Sequence, residues 1–170
     1  MEDTRYKILL IEDDKLDRMA FEQVVEDKEL PYDCTIAGSV SEAQSILGSE
    51  QFDIVIADYS LGDGTAFDIL DWVKDTPTIL VTGAGDEEIA VKAWKAGAYD
   101  YLIKDHERNY LKALPITVEN AIRHKKTEAK LQLLSGAVMS TDAVFWWSSL
   151  FGFGMGIGLT CILLAWWNHR

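Results

Sequence analysis

Short apolar runs alternate with amphipathic stretches through most of this 170-residue chain. Each run is rich in Ile, Val or Leu and is bounded by turn-forming or acidic residues, as is typical of strands that are buried on both faces. Five such βα repeats predict an α/β fold with a doubly wound, five-stranded parallel sheet. The runs are Ile8–Ile11, Cys34–Ala37, Ile54–Ala57, Ile79–Val81 and Tyr101–Ile103, and the helix-like stretches are Leu16–Glu26, Glu42–Leu47, Ala66–Val73 and Glu87–Ala96.

The ends of the helices have their own sequence signals. Ser41 and Asp86 are expected to be the N-caps of the second and fourth helices, because their side chains can accept hydrogen bonds from backbone N–H groups. Residues 106–113 are expected to form a loop. Pro115 then fits the first turn of a final helix, where a missing N–H does least harm. That helix is predicted to run to about Leu134 and to be basic in its second half.

The net charge of −12 is unevenly distributed along the chain. Residues 1–122 carry 11 Lys and Arg against 26 Asp and Glu, which is 11 − 26 = −15, and residues 123–170 carry 5 against 2, which is +3. This acidity argues against nucleic acid as a partner bound through bulk charge. Two cysteines are too few for a disulfide framework or a four-cysteine zinc site. The sequence contains no P-loop motif, so a kinase activity is not expected.

Polar residues follow the predicted strands where each strand ends. Glu12 and Asp13 follow the first strand, Asp58 ends the third, Thr82 ends the fourth, and Lys104 follows the fifth. The carboxyl ends of parallel strands share one edge of the sheet, so these side chains can converge there. Clustered carboxylates repel one another, and Mg²⁺ would relieve that repulsion. A cation at Lys104 can hold an anion beside the metal, and this favours a carboxylate that accepts a phosphoryl group.

Residues 6–125 resemble the receiver domain of the two-component response regulator family. Each matching block is short, but their order and spacing together are specific. The family resemblance implies a flavodoxin-like sheet with strand order 2-1-3-4-5. The blocks are residues 8–14 (ILLIEDD), 53–58 (DIVIAD), 61–64 (LGDG), 81–83 (VTG) and 96–104 (AGAYDYLIK).

The resemblance also implies a role for each matching position. Phosphorylation would fall on Asp58, with Thr82 and Lys104 contacting the phosphoryl group and Tyr101 turning inward as an aromatic switch. The donor would be a histidine kinase or a phosphotransfer protein, and the chain would be a phospho-accepting switch rather than an enzyme. The implied Mg²⁺ ligands are Glu12, Asp13, Asp58 and the backbone carbonyl of Ser60.

Five further positions near the site are expected to shape its loops rather than to bind metal or accept the phosphoryl group. Asp14 and Asp63 are interpreted as loop-solvating residues rather than metal ligands. Gly62 and Asp105 stand where many relatives have proline, so both of their loops are expected to be looser. Gly83 is small, which would leave room for phosphoryl oxygens.

The C-terminal segment is the most apolar part of the chain. Ala143–Trp167 is 25 residues long and uncharged, and about 20 apolar residues suffice for a spanning helix. Trp147 and Trp166 would lie about 28 Å apart along a helix, close to the thickness of the hydrocarbon core. We expect one transmembrane helix that acts as a C-terminal tail anchor. The preceding basic residues would leave the receiver in the cytoplasm and the C-terminus outside the cell (inner) membrane.

Four glycines at every second position mark this segment. On a helix they form two nearly opposite GxxxG stripes, which allow close helix packing and predict a homo-oligomer or a subunit of a membrane complex. Two alternatives remain, that glycine is simply common in membrane helices and that the helix is buried in a larger soluble core. The glycines are Gly152, Gly154, Gly156 and Gly158.

These observations predict three regions and one leading function. Residues 1–114 form the receiver core, residues 115–136 the final receiver helix and a basic linker, and residues 137–170 the membrane tail. No DNA-binding domain follows the receiver in this sequence, so we expect signalling through protein–protein interaction or membrane assembly. The alternatives are a structural membrane-assembly subunit that uses the receiver for docking, and a phosphate sink that drains a kinase.

Overall fold

The computed structural model describes residues 5–73, 75–83 and 87–151, with side chains described up to residue 135. Strands and helices alternate as the sequence predicts, with a short extra hairpin after the third strand. The elements are β1 (Tyr6–Ile11), α1 (Lys15–Asp27), β2 (Tyr32–Ala37), α2 (Val40–Leu47), β3 (Ile54–Asp58), β4 (Ser60–Leu61), β5 (Gly64–Thr65), α3 (Phe67–Leu70), β6 (Thr78–Thr82), α4 (Glu87–Lys95), β7 (Asp100–Ile103) and α5 (Asn109–Phe151).

The main sheet has five parallel strands in the order β2-β1-β3-β6-β7. Because β4 and β5 pair only with each other in an antiparallel hairpin, this order is the predicted 2-1-3-4-5 arrangement of the five long strands. β1 lies in the interior of the sheet, with Ile8 opposite Cys34 of β2 on one side and Ile54 of β3 on the other. The predicted doubly wound α/β fold is confirmed.

The interior strands β1, β3 and β6 are largely buried and mostly apolar because both faces of the sheet are covered. In β1, Leu9 and Ile11 pack into one core cluster while Ile8 and Leu10 pack into the other. This division follows from the two-residue period of a strand, which sends neighbouring side chains to opposite faces. Ala43 of α2 and Ala93 of α4 belong to the first cluster, and the second contains residues of α1 and α5, among them Phe21, Leu114 and Val118.

The start of α2 differs from the sequence-based expectation. Ser39, not Ser41, is the N-cap, and its hydroxyl accepts a hydrogen bond from the Glu42 N–H at 3.1 Å. Ser41 instead donates to Asp63, from its N–H at 3.0 Å and from its hydroxyl at 2.8 Å. Asp63 also accepts from the Val40 N–H at 2.7 Å. The prediction for Ser41 is wrong because a carboxylate distant in sequence satisfies the first turn. Residue 86 lies outside the described residues.

The segment after Asp58 differs from the prediction, because it forms a short hairpin and a helix of only four residues. α3 covers only Phe67–Leu70 rather than the predicted 66–73, and the chain continues in turns closed by i→i+3 hydrogen bonds such as Trp72 N–H to Ile69 O at 2.8 Å. In the hairpin before it, a Cβ on Gly64 would lie 2.8 Å from Asp68 Oδ2 and 3.1 Å from a methyl carbon of Val40. A larger residue at this position would therefore require the side chains of Asp68 and Val40 to shift.

The last helix begins earlier than predicted. It starts at Asn109, whose N–H donates to Asp105 Oδ1 at 2.5 Å, so the loop after Lys104 is held by Asp105. Pro115 lies inside the helix, and its position as the helix start is wrong. A proline in a helix interior is unfavourable by about 3 kcal/mol. Burial of Tyr110, Leu111 and Leu114 against the sheet offsets this, since each such side chain contributes about 1.5–3 kcal/mol.

The C-terminal part of the chain is only partly described. Contacts divide the chain into two compact units, residues 1–126 and 127–170. α5 continues to Phe151, so the expected end near Leu134 is wrong. Within the part of the chain that the structure describes, no helix has the length and apolar character needed to cross a membrane. Residues 152–167 of the predicted span, with all four stripe glycines, lie outside the described residues, so the transmembrane helix stays a prediction.

We expect Asp63→Ala to lower the thermal midpoint of unfolding by a few degrees at neutral pH. Hydrogen bonds from the N–H groups of Ser41 and Val40 hold the pKa of Asp63 below its ordinary value of 3.8. A carboxyl whose folded-state pKa is lowered stabilises the fold fully above its unfolded pKa, and this stabilisation is lost as pH falls through the folded value. The difference between wild type and variant should therefore be largest at pH 7 and narrow towards pH 3.

Calorimetry or circular dichroism at pH 7, 5 and 3 measures this difference. Asp27→Ala is the matched control, because Asp27 is an exposed carboxylate at the end of α1 and should change stability little. A deficit in Asp63→Ala that stays the same at all three pH values would show that the carboxylate charge is not the source of the stabilisation.

Candidate functional site

Three carboxylates meet at the edge of the sheet formed by the carboxyl ends of the strands. Glu12 and Asp13 follow β1 and Asp58 ends β3, and one carboxylate oxygen from each lies within 4.8 Å of the others. Glu12 is buried, Asp13 is exposed and Asp58 is half-buried. The parallel register of β1 with β3 places their ends side by side, so the structure brings together the three carboxylates singled out from the sequence.

The ammonium group of Lys104 lies among these carboxylates. It donates to Glu12 Oε2 at 2.7 Å, to Asp58 Oδ2 at 2.7 Å and to Asp17 Oδ2 at 2.8 Å. A lysine ammonium has three N–H donors, and all three are used here. The Lys104 side chain is only 14% exposed, so these charge-assisted bonds are largely shielded from water.

Backbone pairing fixes the position of Lys104. Its N–H donates to the carbonyl of Thr82 at 2.7 Å, directly beyond the last paired residues of β6 and β7. Thr82 is buried at the end of β6. A Cβ added at Gly83 would meet no described atom within 4 Å. Among the described residues, the Cβ position of Gly83 is therefore open, and phosphoryl oxygens are expected there from the sequence.

Ser60 and Tyr101 are the two remaining predicted site residues. The Ser60 N–H donates to Asp58 Oδ1 at 3.3 Å, which brings the backbone of Ser60 next to the acceptor carboxylate. Tyr101 is half-buried and packs against the core cluster on the α2 and α4 side of the sheet. The metal-binding role of the Ser60 carbonyl and the switch role of Tyr101 stay predictions.

Asp17 is the site residue that the sequence analysis missed. It lies in the first turn of α1, which begins at the same edge of the sheet because it follows directly from the end of β1. Asp14 caps this helix and accepts from the N–H groups of Leu16 at 2.6 Å and Asp17 at 3.1 Å. Asp14 is thus a helix cap and not simply a loop-solvating residue. An acidic side chain one turn into a helix that follows a strand-end carboxylate is the signal that could have identified Asp17.

Burial and pairing shift the proton affinities of the central groups. Burial raises the pKa of Glu12 to about 7, although its hydrogen bond to Lys104 works in the opposite direction. Burial alone would lower the pKa of Lys104, but its bonds to Asp17, Asp58 and Glu12 outweigh this and hold the pKa above its ordinary value. Lys104 is therefore a cation at neutral pH, and Glu12 binds a proton more tightly than an exposed glutamate does.

The donor set fits a hard divalent cation. Glu12, Asp13 and Asp58 supply carboxylate oxygens close enough to share one ion, and Mg²⁺ prefers one or two carboxylates together with water and phosphate oxygens. One ammonium cannot neutralise these three carboxylates and Asp17 together. A cation bound beside Asp13 would relieve the repulsion that remains and favour the charged form of Glu12.

Comparison with known proteins identifies the family of this chain. The family model for the response regulator receiver domain matches residues 8–114, which include Glu12, Asp58, Thr82 and Lys104. The chain therefore belongs to the response regulator receiver family of two-component signalling.

Relatives and solved structures agree with this assignment. The chain is 31% identical over 131 residues to response regulator protein PilR of Pseudomonas aeruginosa, covering 75% of this chain and 28% of PilR. It is 37% identical over 98 residues to regulatory protein LuxO of Vibrio cholerae, covering 55% of this chain and 21% of LuxO. The chain thus spans less than a third of the length of these curated relatives.

Two solved receiver structures share the fold. The signal receiver domain of a putative LuxO repressor protein from Vibrio parahaemolyticus aligns with a TM-score of 0.65 at 27% identity, covering 75% of this chain and 98% of that one. A CheY-like receiver domain protein from Methanospirillum hungatei aligns with a TM-score of 0.65 at 22% identity, covering 74% and 99%. The second likeness bears on the fold alone.

We expect Mg²⁺ to stabilise the folded chain and Asp13→Asn to remove most of that effect. A cation present at 100 times its dissociation constant raises the free energy of unfolding by about 2.7 kcal/mol. Thermal unfolding with increasing MgCl₂ measures this rise. Asp13 is suited to the test because it is the exposed member of the three carboxylates that could hold the metal ion. It is also not among the carboxylates bonded to Lys104.

Asp14→Asn is the matched control for this experiment. It removes the neighbouring charge, while asparagine remains a good N-cap for α1, so the stabilisation by Mg²⁺ should persist. Equal stabilisation of wild type and Asp13→Asn by Mg²⁺ would exclude Asp13 from the metal site.

Proposed function

We propose that this chain accepts a phosphoryl group on Asp58 from a histidine kinase or phosphotransfer protein and passes the signal on through protein–protein contacts at the membrane. The observation that carries this proposal is the convergence of Asp58 with two further carboxylates and with the Lys104 ammonium at one sheet edge. Such a site combines a nucleophile with groups that neutralise transferred charge.

The transfer step is a simple exchange of bonds. An oxygen of the Asp58 carboxylate forms a bond to phosphorus while the P–N bond of the donor phosphohistidine breaks, and the donor imidazole keeps the bonding electrons and takes a proton. Bound Mg²⁺ supplies positive charge beside the transferred oxygens. Glu12 and Asp13 would hold it, together with Asp58 and the backbone carbonyl of Ser60.

The residues around Asp58 respond to the new group. Lys104 exchanges its bond to the Asp58 carboxylate for one to a phosphoryl oxygen, and the Thr82 hydroxyl approaches a second oxygen beside the open space at Gly83. Movement at the end of β6 then gives Tyr101 room to turn inward. The chain acts in this scheme as a switch rather than as an enzyme.

The C-terminal segment anchors the switch in the membrane. This part of the proposal rests on the 25 uncharged residues from Ala143 to Trp167 and on the tryptophan pairs near both ends, which are typical of a span with interfacial anchors. The basic residues before the span favour a cytoplasmic receiver. Phosphorylation would then control how the glycine-striped helices assemble.

We expect Asp58→Asn to abolish acid-labile phosphate on the full chain incubated with Mg²⁺ and a phosphorylated histidine kinase. Labelling from [γ-³²P]ATP through the kinase, followed by acid and base treatment of the gel, measures this. Asp53→Asn is the matched control, because Asp53 directly precedes the same strand and its carboxylate accepts only from the Lys7 N–H among the bonds observed. Persistent label on Asp58→Asn would contradict the assignment.

We expect the full chain to remain with membranes after an alkaline carbonate wash. Placing Arg at both Met155 and Ile157 should release it, because each arginine at the centre of a span is unfavourable by about 2.5–3.5 kcal/mol. Leu at both positions is the matched control and should stay in the membrane fraction. Wild-type chain in the supernatant would contradict the membrane anchor while leaving phosphorylation of Asp58 intact.

A further inference from the structure

Metal binding and phosphorylation would affect the three carboxylates bonded to Lys104 differently. Glu12 and Asp58 belong to the cluster whose oxygens could share a metal ion, whereas Asp17 does not. A metal ion would draw Glu12 and Asp58 towards itself, and phosphorylation would convert Asp58 into an acyl phosphate. Of the three carboxylate partners of Lys104, Asp17 is the one that would neither bind the metal ion nor be phosphorylated.

Packing alone does not fix the end of the Lys104 side chain. A cavity of about 20 Å³ is lined by Lys104, by its three carboxylate partners and by apolar residues of the sheet, α1 and α5. A lysine side chain has a flexible four-carbon stem and loses considerable rotamer freedom when it is ordered. Its direction therefore depends on hydrogen bonds, and the bond to Asp17 is the one that metal binding and phosphorylation would leave in place.

Asp17 is itself well placed to serve as an anchor. Its side chain is 24% exposed, and its backbone lies in the capped first turn of α1, which follows directly from the end of β1. Arg108, at the turn before α5, brings a second cation to within 3.8 Å of Asp17 Oδ1. The Asp17 carboxylate therefore lies between two cations, Lys104 and Arg108.

We infer that Asp17 is a positioning residue that keeps the Lys104 ammonium directed at the phosphoryl group while Glu12 and Asp58 are occupied by metal and phosphate. This inference rests on the proposed phosphorylation of Asp58. It adds to that proposal a residue that touches neither metal nor phosphoryl group and acts through Lys104.

The test is a titration of the full chain in detergent with beryllofluoride, a phosphoryl mimic, at saturating Mg²⁺. Asp17→Ala should weaken beryllofluoride binding about tenfold, the loss expected for one hydrogen bond to a charged group. Asp17→Asn keeps an acceptor oxygen and should stay within about threefold of wild type on the same reasoning. Affinity for Mg²⁺ alone should be unchanged in both variants, because Asp17 is not one of the three carboxylates that could hold the metal ion.

The Lys104→Ala variant shows whether Asp17 acts through Lys104 or whether its replacement simply disturbs the fold. Lys104→Ala should itself weaken beryllofluoride binding, and adding Asp17→Ala to it should weaken binding no further, since the group that Asp17 positions is gone. Asp27→Ala, which removes an exposed charge at the far end of α1, should bind as wild type does. Thermal midpoints of all variants check that the fold is retained.

Each outcome has a distinct meaning. An additional tenfold loss in the Lys104→Ala background, tighter binding by Asp17→Ala, or a parallel loss of Mg²⁺ affinity would overturn the positioning role and leave the proposed function standing. Failure of the wild-type chain to bind beryllofluoride with Mg²⁺ would overturn the proposed function and the positioning role together. Loss in Asp17→Ala, rescue in Asp17→Asn and no further loss in the double variant would establish the inference.

Discussion

The bonding of one lysine ammonium to three carboxylates is the interaction on which the architecture of this site depends. The partners of Lys104 are 92, 87 and 46 residues away in the sequence. They come from the end of β1, the first turn of α1 and the end of β3. Without the cation, the three carboxylates would repel one another at this largely buried edge. The cluster is therefore stable only if all three are held close enough to share the ammonium group.

The order of the parallel sheet satisfies this requirement. β1 and β3 are neighbours in the interior of the sheet, β6 lies beside β3, and β7 lies beside β6. Lys104 follows β7, so its long side chain must reach across the end of β6 to the carboxylates. The buried strands supply the rigid edge, and the flexible lysine spans the distance. A receiver can therefore respond to a chemical change at Asp58 through a charged contact that already connects several elements.

The acidity of the domain has a second structural use at the starts of helices and loops. Asp14, Asp63 and Asp105 each accept hydrogen bonds from backbone N–H groups at a helix N-terminus. Their pKa values are lowered, for Asp14 and Asp63 chiefly by these bonds, and for Asp105 because its bonds to Asn109 outweigh its burial. The charges of these three carboxylates are thus compensated by backbone N–H groups and helix dipoles. This leaves Lys104 as the main side-chain cation of the carboxylate cluster within the described residues.

The sequence alone determined the strands, their parallel arrangement and the main residues at the sheet edge, because buried strands and strand-end carboxylates leave strong local patterns. The membrane character predicted for the segment from Ala143 to Trp167 likewise rests on the sequence. Tertiary structure alone decided the details that depend on distant partners. Asp17 joins Lys104 only because α1 starts at the same edge, Asp63 takes over the start of α2 from across the chain, and burial of Tyr110 and Leu114 lets α5 begin before Pro115. Local propensity is a weak constraint at such places, since a contact formed by a residue far along the chain contributes more free energy than the preference of the local sequence.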